Sequence, residues 1–446
     1  MATINILEFL EKQKVSHYQC SIIFLMFLTV IFDGMDIAIM GYINPVLSHN
    51  WQLSSMESAR ILSAAPAGLL IGALISGPIA DKIGRKKILV SSVFLFGLFT
   101  LLCATAHHIY SLIAYRFITG MAMGGVMPQA ATLVTEYSPR QHRSKFVTLV
   151  FAGFTVGAAG GGFISGHLIE DYGWQKIMFI CGLLPLILSL ILLLVLPESI
   201  SFMIIKCYPK QKIVAIINRI CPSSVSMQDN FILPQANIKS NDSPINIVLN
   251  SYFRFGSLML WCSYFMGLLL VYLLSSWMPT IIKNAHFTLK EATNIGVMFQ
   301  LGGPLGSVFL GWLMDRYEAH KVLAINFVIG SLIMLAMSEV TGSFTLLCLT
   351  AFFIGFCFNG GNTGMNALSS TFFPSAARAT GNSWMHGLGR FGAVASTFVG
   401  AKMLEWDWSL QQILFALSVP ALIIAILILL KWCFYRKKNI LAENAV

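Results

Sequence analysis

The chain reads as an all-α integral membrane protein: twelve transmembrane helices in two pseudo-symmetric six-helix bundles. Three observations predict that class. Hydrophobic residues are 56% of the 446 and charged residues only 11%, whereas soluble domains hold about 45–50% and 25%. Apolar runs close to the bilayer-spanning length, about 20 residues, recur from one end to the other. A segment also returns about 235 positions later, Gly120-Met121-Ala122-Met123-Gly124-Gly125 matching Gly355-Phe356-Cys357-Phe358-Asn359-Gly360.

The first run, residues 20–47, follows a polar segment with Glu8, Glu11, Lys12 and Lys14, and no small-residue cleavage site comes after it. It is therefore expected to be a span rather than a removed signal peptide. Asp33 and Asp36 stand in its middle. A carboxylate at the bilayer centre costs about 2.5–3.5 kcal/mol on insertion scales, so these two are read as functional. Three residues apart on a helix, they share a face and can share a cavity, a cation or a proton.

The second run, 59–80, passes through a basic loop into the third, 88–106. The fourth, 109–134, carries Arg116-x-x-x-Gly120-x-x-x-Gly124, where the glycines admit a close neighbour and the guanidinium needs a carboxylate or backbone partner. The fifth, 145–169, holds Gly160-Gly161-Gly162, read as a packing surface rather than a phosphate loop, and the sixth, 174–196, ends at Pro197-Glu198-Ser199. A polar stretch at 197–253, basic and then rich in Asn, Ser, Asp and Pro, divides an N-terminal bundle (1–196) from a C-terminal one (254–446) and reads as a cytoplasmic linker. The remaining spans are expected at 256–281, 292–314, 322–340, 344–369, 377–401 and 409–433.

Most of the 29 Lys and Arg fall in the tails and in loops on the N-terminal side of the membrane. By the positive-inside rule both termini are cytoplasmic. The net charge of +10 then needs only an anionic lipid surface as partner and no nucleic acid.

Charges that break the repeat are stronger functional candidates than charges that follow it, because maintenance of the fold would ask for both copies. Arg116 corresponds to Ala351, and Arg390, in the eleventh span, to Thr155. Arg116 is a candidate for proton coupling or substrate, with a fixed structural ion pair as the alternative. Arg390 is a candidate to hold a carboxylate through bidentate bonds. His386, one turn earlier, is either a neutral histidine bonded to a neighbouring helix or part of a substrate or proton path. Asn359, Asn362 and Asn366, at i, i+3 and i+7 on the tenth span, serve as helix glue or line a cavity. Trp277, Phe299, Trp384 and Phe391 could stack on an aromatic ring or simply pack.

The loop Gly77-Pro78-Ile79-Ala80-Asp81-Lys82-Ile83-Gly84-Arg85-Lys86-Lys87 fits G-x-x-x-D-[RK]-x-G-R-[RK] at every specified position, and with it the chain resembles the major facilitator superfamily. The resemblance implies that Asp81, with Gly77, Gly84 and Arg85, forms a cytoplasmic gating latch that pairs with the opposite bundle. A second copy from Gly311 to Asp315 lacks the later glycine and arginine pair, so a latch there is expected to be weaker. Asp33-Gly34-x-Asp36, Gly360-Gly361-x-Thr363-Gly364-Met365-Asn366-Ala367 and Arg378-Ala379-Thr380-Gly381 with Gly387-x-Gly389-Arg390-Phe391-Gly392 are similar to the aromatic acid:proton symporter family. That likeness implies that Asp33 and Asp36 serve proton-coupled uptake.

There is no G-x-x-x-x-G-K-[ST] for ATP, no H-E-x-x-H and no C-x-x-C spacing among nine cysteines, so no cofactor or metal is expected. An enzyme or sensor would show a catalytic cluster or an appended soluble domain. The expectation is a transporter, not an enzyme, monomeric and in a bacterial inner membrane. It would import a small organic acid with protons by alternating access, with Asp33, Asp36 and Arg116 in coupling. Arg390, His386, Asn359, Asn362, Asn366 and Trp384 would bind substrate. A symporter of an aliphatic acid or sugar-like solute is second and a drug:proton antiporter third.

Overall fold

The structure, a computed structural model, describes residues 3–5, 15–221, 230–232, 244–340, 342–373 and 377–443. The segment from Glu8 to Lys14, most of the Asn-, Ser- and Asp-rich part of the linker, and Pro374 lie outside the described residues.

All twelve expected spans form. The first three are α1 (His17–Trp51), α2 (Ser55–Ile83) and α3 (Arg85–Cys103). The fourth is broken at Gly124-Gly125 into α4 (Ile109–Met123) and α5 (Val126–Tyr137). The fifth and sixth run together as α6 (Arg140–Val195), divided by Gly173 at φ 74°, where a glycine escapes the steric cost of positive φ. The last six are α10 (Arg254–Asn284), α11 (Leu289–Arg316), α12 (Ala319–Glu339), α13 (Phe344–Phe372), α14 (Arg378–Glu405) and α15 (Leu410–Glu443). Of these, α14 is long enough to cross a membrane but too polar to count among the apolar spans.

The expected linker is more structured than its composition suggested. It forms α7 (Ile200–Ile205), α8 (Lys210–Ile220) and α9 (Pro244–Val248). Helix α8 buries Ile213, Val214, Ile217 and Ile220, an i, i+1, i+4, i+7 stripe that joins the core of α1, α3, α4, α5 and α6. Two three-residue strands, β1 (Thr3–Asn5) and β2 (Asn230–Ile232), pair in parallel and are the only strands among the described residues.

The chain separates into two compact units, Met1–Ile37 with Ala67–Gly157 and Gln175–Asn237, and Ala38–Pro66 with Ala158–Trp174 and Ile238–Val446. The second unit thus takes in parts of α1, α2 and α6. Inside it Gly41 lies against the backbone of Ser275, Tyr42 lies against Gly162 and Gly296, and the Asn44 amide donates to Thr280 Oγ1 at 3.1 Å. Gly162 is therefore a packing glycine, whereas Gly160 faces open space.

Helix crossings inside each unit are built on glycines at repeat-equivalent places. A Cβ on Gly68 would come within 2.0 Å of the Phe117 carbonyl oxygen, and one on Gly302 within 2.0 Å of that of Phe352. Gly72 with Met121 and Gly306 with Phe356 repeat the contact one turn on; Gly157 with Ile31 matches Gly392 with Phe265. Backbones touch because no side chain intervenes, the usual means of helix association in lipid.

Candidate functional site

The first cluster is built on α1. Gly34 allows the close approach of α6, since a Cβ there would lie 1.9 Å from the Phe154 carbonyl oxygen. The carboxyls on either side of it are withdrawn from solvent, Asp33 at 1% exposure and Asp36 at 0%. From α4, Arg116, itself 1% exposed, donates through Nη1 to Asp36 Oδ2 at 2.8 Å and through Nη2 to the Asp36 carbonyl at 3.1 Å. From α3, the Thr100 hydroxyl donates to Asp36 Oδ1 at 2.5 Å. The structure thus joins two of the three residues expected to couple protons, Asp36 and Arg116, and adds Thr100, with Asp33 one turn earlier on α1. A threonine in an apolar helix gave no sequence signal, because most such hydroxyls bond back into their own helix.

The repeat tests whether this ion pair serves the fold. At offsets of 234 or 235 residues, the positions of Asp36, Arg116 and Thr100 are taken in the second half by Leu270, Ala351 and Met334, all at 0% exposure. One six-helix half fills these positions with uncharged, apolar side chains. The other keeps a buried ion pair there, an arrangement that seldom outperforms well-packed apolar residues.

The second cluster lies within the other unit, on α10, α13 and α14. The Tyr264 hydroxyl meets His386 Nδ1 at 3.1 Å, and the Asn366 amide reaches the same hydroxyl at 3.5 Å. Arg390, one turn beyond His386, acts electrostatically on both Tyr264 and His386. Tyr264 is the hub of this group and was missed in the sequence. Asn362 bonds the Gly267 carbonyl at 3.2 Å and so ties α13 to α10. Asn359 Nδ2, Asn362 Oδ1 and Asn366 Oδ1 are buried and have no protein partner among the described residues, which leaves them to be met by water or a solute.

Trp384 is 45% exposed and stacks at 5.6 Å on the buried Trp261, while Phe391 is 55% exposed. Trp277 and Phe299 are core residues, the former bonding the Thr397 carbonyl. Neither presents a face to a ligand.

The ion pair of the basic loop is local. Asp81, with its side chain 70% exposed, pairs with Arg85 of its own loop at 2.8 Å, an i, i+4 contact across the α2–α3 turn. Gly84 sits at φ 112°, ψ 151°, and a Cβ there would strike Glu198 Oε2 at 2.2 Å. That carboxylate accepts from the backbone N–H of Lys86 and of Ser199, both at 3.0 Å. It caps the start of α3, which has no acidic residue of its own in its first turn. Gly84→Ala should therefore destabilise the protein by about 2–5 kcal/mol, combining about 1–3 for the glycine-only backbone with the weakened charged cap. Thermal unfolding in detergent would show it, and Glu198→Gln, which keeps an acceptor, should cost less. Gly77 has open space around it, and Asp315 is exposed at the end of α11.

Residues 26–201 and 260–444 match the Major Facilitator Superfamily. The chain belongs to that superfamily. It is a multi-pass membrane transporter and not an enzyme. It is 39% identical to the 4-hydroxybenzoate transporter PcaK of Pseudomonas aeruginosa, over 96% of each chain. It is 37% identical to the gallate transporter of Pseudomonas putida over 96% of this chain and 95% of that one. The benzoate transport protein of Acinetobacter baylyi is 33% identical over 94% and 91%. These relatives bear out the likeness to aromatic acid transporters. Among solved structures, a D-xylose-proton symporter shares the fold with a TM-score of 0.69 at 14% identity, over 92% of this chain and 97% of that one.

Proposed function

We propose that this transporter imports an aromatic carboxylate together with protons by alternating access of the two bundles, 1–196 and 254–446, joined by the segment 197–253. The observation that carries the substrate class is the end-to-end similarity to relatives named for 4-hydroxybenzoate, gallate and benzoate. The site supports it: buried acid, arginine and amide groups are what a lipid-embedded chain keeps for a polar cargo. Two carboxyls one turn apart, one of them bonded to a guanidinium, form a unit that can gain or lose a proton at Asp33 while Arg116 keeps its partner. Arg390 takes the substrate carboxylate, with Tyr264, His386 and the Asn359–Asn366 stripe around it, and Trp384 beside the ring. Asp81, Arg85 and Asp315 act at the cytoplasmic gate. Both termini face the cytoplasm of a bacterial cell, and the monomer is the working unit.

Uptake into proteoliposomes of labelled hydroxybenzoates, aliphatic acids and neutral solutes, with and without an imposed pH gradient, tests the reading. Accumulation of the aromatic acids alone, and only with the gradient, is expected; accumulation of a neutral solute instead would refute it. Arg390→Lys keeps the charge but loses the bidentate geometry. It should weaken carboxylate binding by about 1.5–3 kcal/mol, roughly 10- to 150-fold, and leave binding of the matching amide unchanged. If the variant distinguishes acid from amide as sharply as the parent chain, the carboxylate is held elsewhere.

A further inference from the structure

A cavity of about 560 Å³ opens at one end of the C-terminal helices, away from the Tyr264 group, with Lys431, His320, Arg378, Thr371, Phe372 and Tyr435 in its wall. Lys431 is 1% exposed. Its Nζ hydrogen-bonds with His320 Nε2 at 3.0 Å and lies 3.9 Å from the centre of the Phe372 ring. Among the described residues no carboxylate forms an ion pair with it. A histidine carries no negative charge, so among the described residues no anionic group faces Lys431. Arg378 adds a second positive charge at the start of α14, whose N-cap residue, Ala377, makes no side-chain cap, and a helix N-terminus favours an anion.

We propose that this cavity holds the phosphate of an anionic membrane lipid. The group it asks for is a compact anion with several acceptor oxygens, able to bond Lys431 and Arg378 together. Its volume is that of a ligand pocket, about 300–1,000 Å³, and well beyond an inorganic ion. Of the lining residues Tyr252 is 38% exposed, and Leu430 and Phe434, at 49% and 39%, are the neighbours in sequence of Lys431 and Tyr435 on α15 and offer apolar surface for acyl chains. Basic pockets between membrane helices are known in general to take such headgroups.

The test uses the full chain, stripped of lipid in detergent, titrated with phosphatidylglycerol, phosphatidylcholine or inorganic phosphate and followed by native mass spectrometry and thermal unfolding. The parent chain should retain phosphatidylglycerol and melt higher with it, and Lys431→Met should bind at least about tenfold more weakly. Arg378→Gln, an exposed change that spares the core, should fall between them. Retention of phosphatidylcholine equal to phosphatidylglycerol, or equal retention by parent and Lys431→Met, would overturn the site. Inorganic phosphate displacing the lipid at equal concentration would keep the cation pair as a phosphate site and overturn its assignment to lipid.

Discussion

Asp36→Leu on its own should leave little folded protein, because it strands the Arg116 guanidinium where the side chain is 1% exposed. Removing one partner of a buried pair costs about 3–5 kcal/mol, the penalty of the charge left behind. The triple change Asp36→Leu, Arg116→Ala and Thr100→Met should recover that loss. It installs the trio that the second half carries at Leu270, Ala351 and Met334, and neither charge of the pair remains. The same variant should show no accumulation driven by a pH gradient. Melting of the purified variants and uptake into proteoliposomes check both halves of the expectation. A triple variant as unstable as the single one would make the ion pair a structural element of this half. One that still accumulates substrate would remove it from proton coupling.

Asp33→Asn should reduce gradient-driven uptake to the level of empty vesicles while exchange of labelled for unlabelled substrate continues. The amide keeps the size of the carboxyl and its place on α1, beside the close crossing at Gly34, but cannot cycle a proton. Exchange needs the carrier to reorient with substrate on both sides and no net proton movement, so the two assays separate coupling from folding and binding. Gradient-driven accumulation by Asp33→Asn at the parent rate would refute Asp33 as the proton carrier.

Spans, loops and the two-fold repeat were legible because bilayer thickness sets one period and duplication another, and both survive in a single sequence. The meeting of Asp36 with Arg116 was legible in kind, since neither charge is tolerable alone in hydrocarbon. Which of two carboxyls takes the arginine was not, because Asp33 and Asp36 differ by one helical turn and only the register of α1 against α4 decides. The glycine pairs Gly68–Phe117 and Gly302–Phe352 obey the repeat offset and could have been found by it. Tyr264 could not: nothing local marks one tyrosine in an apolar helix as the partner of a histidine 122 residues away. Lys431 was hidden for the opposite reason. It stands just before the basic C-terminal tail, where a lysine reads as one more residue of the positive inner face.

The polarity of α14 bears on how the chain is made. A segment with Arg378, His386 and Arg390 does not qualify as an apolar span by its own composition, so partition from the translocon into lipid is unfavourable for it in isolation. Its partners are already synthesised when it emerges: α10 offers Trp261, which bonds the Gly381 carbonyl, Tyr264, which meets His386, and Phe265, whose backbone carbonyl lies against Gly392. The seventh span is thus a template on which the eleventh can leave the insertion machinery. Damage to α10 should then surface in biogenesis as a chain whose eleventh span is left outside the bilayer, with the C-terminus displaced to the wrong side.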